Sequence, residues 1–313
     1  MRLAAIDLGT NTVHFLVAEV DAPPAWKLVH HEQRVTRIGE GLSRDRRLGE
    51  GPMARTTDVV AGDVHHARAL GATAVRIVAT SAVRDADNGR EFARGVERAT
   101  GIPLEIVSGE NEARLMLRGV LYGLGRPRGT LLVFDIGGGS TEYVLARDRA
   151  VALSVSLRLG VVPLAERFPF PHAVDASRYR ALEAEVTARL ERELPPEIAA
   201  APLDHLVGTA GTVTALAALD LELPAYDRER VQGHRLTRAA VERLRTRLAA
   251  LTLAERGDLP CLEPARADLI VPGTAIVLAT MTAIGADALI VSDAGLREGI
   301  VDDTVARLAA GEA

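Results

Sequence analysis

The sequence contains one arrangement of residues twice. The stretch AAIDLGTNTVHFLVAEV, residues 4–20, runs an apolar segment into Asp7, breaks at a glycine, adds small polar residues and becomes apolar again. The stretch LLVFDIGGGSTEYVLA, residues 131–146, repeats that order around Asp135. A single copy is weak evidence, because an aspartate–glycine turn also links ordinary hairpins. Two copies favour a chain with two related halves, each containing a strand, a glycine turn and a second strand.

Composition limits the classes of function. The 313 residues allow two domains of ordinary size, and 48% apolar residues are enough to build their cores. Only 3% of the residues are aromatic and the net charge is −5, which argues against base stacking and against general nucleic-acid binding. The single cysteine, Cys261, excludes an internal disulfide and fits a reducing compartment. No signal-peptide pattern or long apolar stretch is present, so we expect a soluble cytoplasmic protein without a membrane partner.

Strand and helix patterns alternate along the chain. This alternation predicts an α/β fold. Glycine and proline cluster in GLGRPRG, residues 123–129, between the two patterned halves. We therefore predict one α/β domain over residues 1–124 and a similar one over residues 125–313, facing each other across a cleft of the kind that holds small ligands.

The two glycine turns carry the chemistry expected of a phosphate site. An aspartate at the carboxyl end of a strand lies where open α/β sheets bind ligands. Glycine lets backbone N–H groups approach an anion, and a carboxylate beside the turn can hold Mg²⁺ through water. The predicted phosphate-binding residues are Gly9, Thr10, Asn11 and Thr12 in the first turn, and Gly137, Gly138, Gly139, Ser140 and Thr141 in the second.

A third turn lies in HLVGTAGTVTALAAL, residues 205–219. The pattern predicts a strand, a glycine-rich turn and a helix whose N-terminus suits an anion or nucleotide. Glycine selected for close packing at a capped helix is the alternative. No lysine follows the glycines, so this is not a Walker P-loop. The candidate residues are Gly208, Thr209, Gly211 and Thr212.

The histidines do not form a metal motif in the sequence. His30–His31 and His65–His66 are adjacent pairs and lack the i, i+4 spacing of two ligands on one helix face. The sequence therefore predicts no metal site at these pairs.

Several stretches together resemble one known family. AIDLGTNT, TRIGEGL, ATSAVRDADNG, VSGENEARL, VFDIGGGSTE, LRLGVVPLAERF, GTAGTVTALA, RADLIVPG and SDAGLREGIV occur in this order from residue 5 to residue 301. The chain resembles the exopolyphosphatase and guanosine pentaphosphate phosphohydrolase (Ppx/GppA) family, in its short two-domain form. That family belongs to the actin-like ATPase superfamily. The resemblance implies two actin-like (ribonuclease H-like) α/β domains.

The resemblance also implies catalytic roles for particular residues. Glu112, in SGENEAR, matches the family's catalytic glutamate and would activate the attacking water. Glu110 is a rival that aligns less well, and an ordinary glutamate in the first turn of a helix is the structural alternative. Arg84 matches a phosphate-contacting position, although a helix-capping arginine on the surface would look the same.

Further residues are assigned by the same resemblance. Glu142 would be a second carboxylate near the water or the metal. Asp135 is the first choice for a metal ligand, through its water shell, and Asp7 the second. Arg37 and Arg266 are lesser candidates for phosphate contacts, and each could equally form a salt bridge.

The resemblance predicts a Mg²⁺-dependent phosphohydrolase, with K⁺ as a candidate activator. Its substrate would be inorganic polyphosphate or, alternatively, guanosine pentaphosphate. The charge of −5 offers no extended basic track and slightly favours short chains or a nucleotide, while exopolyphosphatase is the commoner family activity. A sugar- or acetate-type kinase and a nucleotide-binding sensor with little turnover are the remaining alternatives. A homodimer is expected from family habit.

Overall fold

The computed structural model describes residues 1–311. The first part of the chain contains β1 (Arg2–Leu8), β2 (Thr12–Ala22), β3 (Ala25–Val35), α1 (Leu42–Asp45), α2 (Glu50–Ala69), β4 (Ala72–Ala79), α3 (Ser81–Asp85), α4 (Gly89–Thr100), β5 (Leu104–Ile106) and α5 (Gly109–Gly123). Next come β6 (Thr130–Ile136), β7 (Thr141–Arg147), β8 (Ala150–Leu157), α6 (Val161–Arg167), α7 (Ala176–Glu193), α8 (Pro196–Ala199), β9 (His205–Thr209), α9 (Ala210–Asp220), α10 (Arg228–Val231) and β10 (Arg235–Thr237). The last elements are α11 (Arg238–Ala250), α12 (Leu253–Gly257), a 3₁₀ turn (Pro264–Arg266), α13 (Ile270–Ile284), β11 (Ala288–Ser292) and α14 (Leu296–Ala310).

The two sheets share one strand order. The first sheet runs β3-β2-β1-β4-β5, with β1 antiparallel to β2 and parallel to β4. In the second sheet the strands β8-β7-β6-β9-β11 repeat this order, and β10 adds an antiparallel edge strand. The duplicated sequence arrangement therefore forms equivalent strand pairs, β1–β2 and β6–β7. This is the ribonuclease H-like arrangement of actin-like domains, and it confirms the predicted α/β fold class.

The chain divides into two compact units. The first contains Met1–Tyr122 together with the segment from Ala294, and the second contains Gly123–Asp293. This division differs from the predicted domains 1–124 and 125–313, because α14 returns to the first sheet. The apolar residues of α14 share a core cluster with the inward residues of β1 and β2: Leu296, Ile300, Val301 and Val305 with Leu3, Ala5, Leu16 and Ala18. The cleft expected between the two halves stays a prediction.

Side chains alternate between the two faces of the first sheet. Ile6 and Phe15 belong to the core cluster on the α2 face, whereas Ala5 and Leu16 belong to the cluster on the α14 face. Asp7 therefore shares the α14 face with Ala5. Within residues 1–311, no helix is both long and apolar enough to cross a bilayer.

Two glycines allow α14 to pack closely against α5. A Cβ atom added at Gly119 of α5 would lie 1.8 Å from the carbonyl oxygen of Gly295. A Cβ atom added at Gly299 of α14 would lie 1.7 Å from the carbonyl oxygen of Leu115. Backbone meets backbone at both positions, so neither contact can be relieved by rotating a side chain.

We expect Gly119→Ala to lower the free energy of unfolding of the first unit by about 2 kcal/mol or more, because the added methyl group forces α5 and α14 apart. Trp26, the chain's single tryptophan, lies in this unit and stacks on Tyr122, so its fluorescence during urea unfolding reports the change.

The control is Gly62→Ala in α2, where an added Cβ atom meets nothing within 4 Å. Alanine there should raise the free energy of unfolding by about 0.5–1 kcal/mol, since it restricts the unfolded chain and favours the helix. A Gly119→Ala protein as stable as the wild type would contradict the packing described for α14.

Candidate functional site

The turn between β1 and β2 is held by the loop that follows β3. The carbonyl oxygen of Thr10 accepts a hydrogen bond from the amide of Gly39 at 2.9 Å. The carbonyl oxygen of Asn11 accepts from the amides of Thr36 at 3.0 Å and Arg37 at 2.9 Å. A Cβ atom at Gly39 would lie 2.3 Å from the methyl carbon of Thr10, so the loop lies directly on the turn. The carbonyl groups of Thr10 and Asn11 are therefore occupied.

The amide groups of this turn are not occupied in the same way. Within residues 1–311, the amides of Thr10 and Asn11 donate no hydrogen bond. Thr10, Asn11 and Thr12 are all buried, and the side-chain oxygen of Asn11 also lacks a hydrogen-bond partner. A buried turn in which the carbonyl groups of Thr10 and Asn11 are satisfied and their N–H groups are not offers a partial positive charge to an anion.

The turn between β6 and β7 is held in an equivalent way. The amide of Gly137 donates to the carbonyl oxygen of Ser140 at 2.9 Å. The amides of Val161 and Val162, after β8, donate to the carbonyl oxygens of Gly137 and Gly138 at 3.2 and 2.8 Å. In both units, therefore, the residues that follow the third strand in the chain brace the turn between the first two strands: a loop after β3, and the start of α6 after β8.

The second turn also presents unused amides. Among the described residues, the amides of Gly138, Gly139 and Ser140 have no acceptor. Thr141 points elsewhere, since its hydroxyl group donates to the carbonyl oxygen of Leu159. Three successive amides without acceptors form the more extensive of the two donor groups. This is the local geometry that the sequence predicted for phosphate binding, except that the Thr141 hydroxyl group is already used.

Asp7 is a buried acid whose charge is poorly compensated. It is 7% exposed, and its Oδ1 atom is buried with no hydrogen-bond partner among the described residues. Burial raises the pKa of Asp7 to about 7, opposed by the positive charge of Arg297 and supported by the negative charge of Glu298. A carboxylate in this condition is suited to a bound cation, which would supply the missing charge compensation.

Arg297 and Glu298, at the start of α14, were not singled out by the sequence analysis. The guanidinium Nε of Arg297 donates to Glu298 at 2.8 Å, and its Nη1 lies 3.5 Å from Nδ1 of His14. The other oxygen of Glu298 accepts from the amide of Gly295 at 2.8 Å. The pair lies in SDAGLREGIV, a stretch that contributed to the family resemblance, but only the return of α14 to the first sheet brings it to Asp7.

Two acids lie opposite each other at the end of β6 and the start of β7. Asp135 pairs with Glu142 across the antiparallel ladder, and Thr209 of β9 flanks Asp135 on the other side. Glu142 is 4% exposed and accepts a hydrogen bond from the hydroxyl group of Ser156 at 2.7 Å. Two like charges directly opposite on a sheet repel each other, and a cation removes that cost. The arrangement suits the metal role predicted for Asp135.

Glu112 forms an ion pair with Arg84. Glu112 is 7% exposed in the first turn of α5, and its Oε2 accepts a hydrogen bond from Nη1 of Arg84 at 2.6 Å. The same Nη1 donates to the carbonyl oxygen of Val107 at 3.1 Å. The structure thus brings together two of the predicted catalytic residues. Contact between Arg84 and phosphate stays a prediction.

The helix α3 connects Arg84 with the first glycine turn. Ser81 begins α3, and its hydroxyl group lies 3.0 Å from that of Thr10 in a buried hydrogen bond. Arg37, in contrast, contacts the first glycine turn with its backbone, because its amide donates to the carbonyl oxygen of Asn11. Arg37 has a left-handed φ of 52°. Left-handed conformations of non-glycine residues are costly and recur at functional sites.

The third turn brings Arg266 onto the N-terminus of α9. A Cβ atom at Gly211 would lie 1.7 Å from Nη1 of Arg266, so the guanidinium group rests against that backbone. Nε of Arg266 also lies 3.2 Å from Oε2 of Glu263, so the salt-bridge alternative raised for Arg266 is present, and its contact with phosphate stays a prediction. Ala210 has a left-handed φ of 71°, and Thr209 makes no side-chain cap. The first amides of α9, beside an arginine, form a third candidate anion site.

The other predicted residues of this turn support its packing. A Cβ atom at Gly208 would lie 2.9 Å from the ring of Phe134. Thr212 packs against Gly273 of α13, where a Cβ atom would lie 2.5 Å from its side chain. Gly208 and Thr212 therefore serve close packing, whereas the N-terminus of α9 beside Gly211 is the part of the turn that can bind an anion.

We expect Asp7→Asn to stabilise the first unit in metal-free solution, and more so at pH 8 than at pH 5. The folded pKa lies above the usual 3.8, so folding is disfavoured progressively as the pH rises from about 4 to about 7 and the buried carboxyl group loses its proton. At 1.36 kcal/mol per pKa unit, the gain at pH 8 should be about 1–4 kcal/mol.

Urea unfolding followed by Trp26 fluorescence in the presence of a chelator measures this gain. Asp21→Asn replaces an exposed acid near the end of β2 and serves as the control. An equal gain for Asp7→Asn at both pH values would show that burial of the charge is not the cause.

Known proteins resemble this chain over almost its whole length. The sequence profile of the Ppx/GppA phosphatase family matches residues 16–308. The chain is 34% identical over 320 aligned positions to Exopolyphosphatase 2 of Mycobacterium tuberculosis, covering 96% of this chain and 97% of that protein. The crystal structure of the Aquifex aeolicus member of the Ppx/GppA family superposes with a TM-score of 0.83 at 31% identity, covering 98% of both chains.

A crystal structure of an exopolyphosphatase from Cytophaga hutchinsonii superposes with a TM-score of 0.88 at 24% identity, covering 98% of both chains, which supports the fold. Together, the profile match over most of the chain and the full-length relatives at more than 30% identity show that the chain is a phosphoric anhydride hydrolase and belongs to the Ppx/GppA phosphatase family.

Proposed function

We propose that the chain is a Mg²⁺-dependent exopolyphosphatase that releases terminal orthophosphate from inorganic polyphosphate. The observation that carries this proposal is the set of unused amides in the two glycine turns, each turn following a strand that bears an aspartate. An uncharged substrate would gain nothing from such donors, whereas phosphoryl oxygens accept from several amides at once. The name of the Mycobacterium tuberculosis relative supports polyphosphate as the substrate.

In the proposed reaction, water attacks the terminal phosphorus atom in line with the bridging oxygen. Glu112 takes one proton from that water through its carboxylate. The bond between the terminal phosphorus and the bridging oxygen breaks, and the shortened chain leaves with both bonding electrons as a terminal phosphate. Amides of the glycine turns hold the nonbridging oxygens, whose negative charge is the main obstacle to attack.

Arg84 has a positioning role in this scheme. Its guanidinium group holds one oxygen of Glu112 at 2.6 Å and is itself fixed by the carbonyl oxygen of Val107. The ion pair lets a negative charge persist on a buried carboxyl group. Glu112 can therefore be oriented as a base before substrate arrives.

The acids present fit a magnesium ion. Asp135 and Glu142 are opposed carboxylates, and Asp7 has a buried oxygen without a hydrogen-bond partner among the described residues. Oxygen ligands of this kind, with retained water, are those that Mg²⁺ prefers. When bound, the ion would neutralise charge on the phosphate chain. We assign its principal ligand as Asp135, with Glu142 opposite it in the same strand pair, and keep Asp7 of the first unit as the second choice.

We expect Glu112→Gln to lower the rate of phosphate release by about 10²–10⁴-fold while leaving KM within a few-fold of the wild type. Glutamine keeps the size of the side chain and can still contact Arg84, but it cannot accept the proton. Phosphate release from a polyphosphate of defined length measures both parameters.

Glu110→Gln is the matched control, since Glu110 lies in the same helical turn but is exposed. It should retain the wild-type rate. Full activity in Glu112→Gln would remove this residue from the role of base, and a large loss in Glu110→Gln would transfer that role to the rival glutamate.

We expect a chelator to abolish phosphate release and Asp135→Asn to raise the Mg²⁺ concentration for half-maximal activity by about tenfold or more. Removing one of two opposed carboxylates weakens the attraction for a divalent ion. Asp148→Asn changes an exposed acid in the turn after β7 and should leave the Mg²⁺ requirement unchanged. Activity that survives chelation would contradict the metal requirement.

The choice of substrate is tested by a paired assay. The amides and acids described here would serve equally to remove the 5′-terminal phosphate of guanosine pentaphosphate. Orthophosphate release is therefore compared on polyphosphate and on guanosine pentaphosphate, each with and without Mg²⁺. A higher kcat/KM on polyphosphate is expected. A higher kcat/KM on guanosine pentaphosphate would make the nucleotide the substrate, and the roles proposed for the residues would stay the same.

A further inference from the structure

A group of metal-ligating side chains lies on the other face of the first sheet. His30 and Glu32 are two residues apart on the edge strand β3 and therefore point to the same side. His66 comes from the last turns of α2, which packs on that side. One side-chain nitrogen or oxygen atom from each of the three residues lies within 4.8 Å of the others. The sequence analysis predicted no metal site here, because these ligands come from two different elements.

The two imidazole rings are already in contact. Their centroids lie 4.7 Å apart at an interplanar angle of 61°. Both rings pack against Phe15, with centroid distances of 5.5 Å for His30 and 5.6 Å for His66. This apolar neighbour limits the orientations open to the rings and excludes water from one side of the pair.

The polar atoms of His30 and Glu32 face each other without a complete hydrogen bond. Nε2 of His30 is buried, has no hydrogen-bond partner within residues 1–311, and lies 4.0 Å from Oε1 of Glu32. The other oxygen of Glu32 is held by Arg34, which also binds the buried Asp63 of α2. Arg34 therefore leaves Oε1 directed at the imidazole.

We propose that His30, Glu32 and His66 form a binding site for a divalent transition metal ion, with Zn²⁺ as the representative ion. Two imidazole nitrogens and one carboxylate oxygen suit Zn²⁺ and its neighbours better than Mg²⁺, which prefers oxygen ligands alone. A tetrahedral ion bound at about 2.0–2.1 Å needs ligand atoms roughly 3.3 Å apart. The three ligand atoms, which lie within 4.8 Å of one another, would move closer by side-chain rotation on binding, and water would complete the coordination.

This site is separate from the candidate phosphate site of the same unit. Glu32 pairs with Phe15 in the ladder, and Phe15 pairs with Ile6, so the three residues share the α2 face. Asp7 is the next residue after Ile6 and points to the α14 face. A metal at the histidine site therefore has no access to the Asp7 carboxylate.

Metal binding would join the edge strand β3 to helix α2. β3 is the edge strand of its sheet and is held to the rest of the sheet only through β2. An ion shared by β3 and α2 links that edge to the helix that covers the sheet, and it stabilises the folded state because the unfolded chain lacks the site. The same strand leads into the loop that braces the first glycine turn.

The test is titration of the full-length protein with Co²⁺ and Zn²⁺. Co²⁺ absorbs visible light strongly in a four-coordinate site with nitrogen ligands and weakly in a six-coordinate oxygen site, so its spectrum separates the histidine site from a magnesium-type site. We expect one equivalent to bind with the strong absorption, and Zn²⁺ to displace it. His30→Gln, Glu32→Gln and His66→Gln should each weaken binding more than about tenfold.

Neighbouring histidines provide matched controls. His31→Gln and His65→Gln alter the exposed partner of each adjacent pair and should bind Co²⁺ as the wild type does. Zn²⁺ should also raise the thermal midpoint followed by Trp26 fluorescence in the wild type and both controls, and not in the three ligand variants. Absence of strong absorption in the wild type, or its persistence in both His30→Gln and His66→Gln, would overturn the proposal.

Discussion

The candidate site depends on how the two glycine turns satisfy their backbone groups. Every buried carbonyl and N–H group needs a partner, and in each turn the braced carbonyl oxygens receive theirs from residues that follow the third strand of the unit. The remaining N–H groups of Thr10 and Asn11, and of Gly138 to Ser140, then have no acceptor within the described residues. The braced carbonyl oxygens are thereby occupied while these N–H groups keep no partner, and an anion is the natural partner of such N–H groups. In the proposed function, phosphate binding is thus a property of backbone geometry, so small side chains suffice.

Asp7, the acid beside the first turn, opposes folding when it is charged. Burial disfavours the charged form of Asp7 more than Arg297 favours it, which is why its pKa rises to about 7. Arg297 reaches Asp7 only because α14 packs on β1 and β2 through Ile300 and Val301. The same packing that buries the acid therefore supplies part of its charge compensation. A bound cation or proton must supply the rest, so stability and ligand binding are coupled at this residue.

Local features of the fold and site could be predicted from sequence. The strand–turn–strand pairs and the strand–turn–helix of residues 205–219 depend on glycine and apolar patterning within a few residues, and the structure has all three. Contacts between distant elements could not be predicted in this way. Arg84 meets Glu112 across two helices, Arg266 rests on Gly211, and His30 meets His66 between a strand and a helix. The spacing of residues in the sequence predicts which side chains are neighbours within one helix or strand, but not which side chains of different elements come into contact.

The duplicated strand pairs differ at one informative position. The residue opposite the aspartate is His14 in the first sheet and Glu142 in the second. In the first sheet, Arg297 approaches that histidine and its positive charge already acts on Asp7. In the second sheet, the aspartate faces another carboxylate, to which the hydroxyl group of Ser156 donates. A second carboxylate opposite Asp135 offers a divalent ion a further oxygen ligand, whereas a histidine stands at that position opposite Asp7. The exchange of one residue between two copies of the same hairpin therefore favours Asp135 over Asp7 as the principal ligand of the proposed ion, and Asp7 is the acid whose charge Arg297 partly compensates.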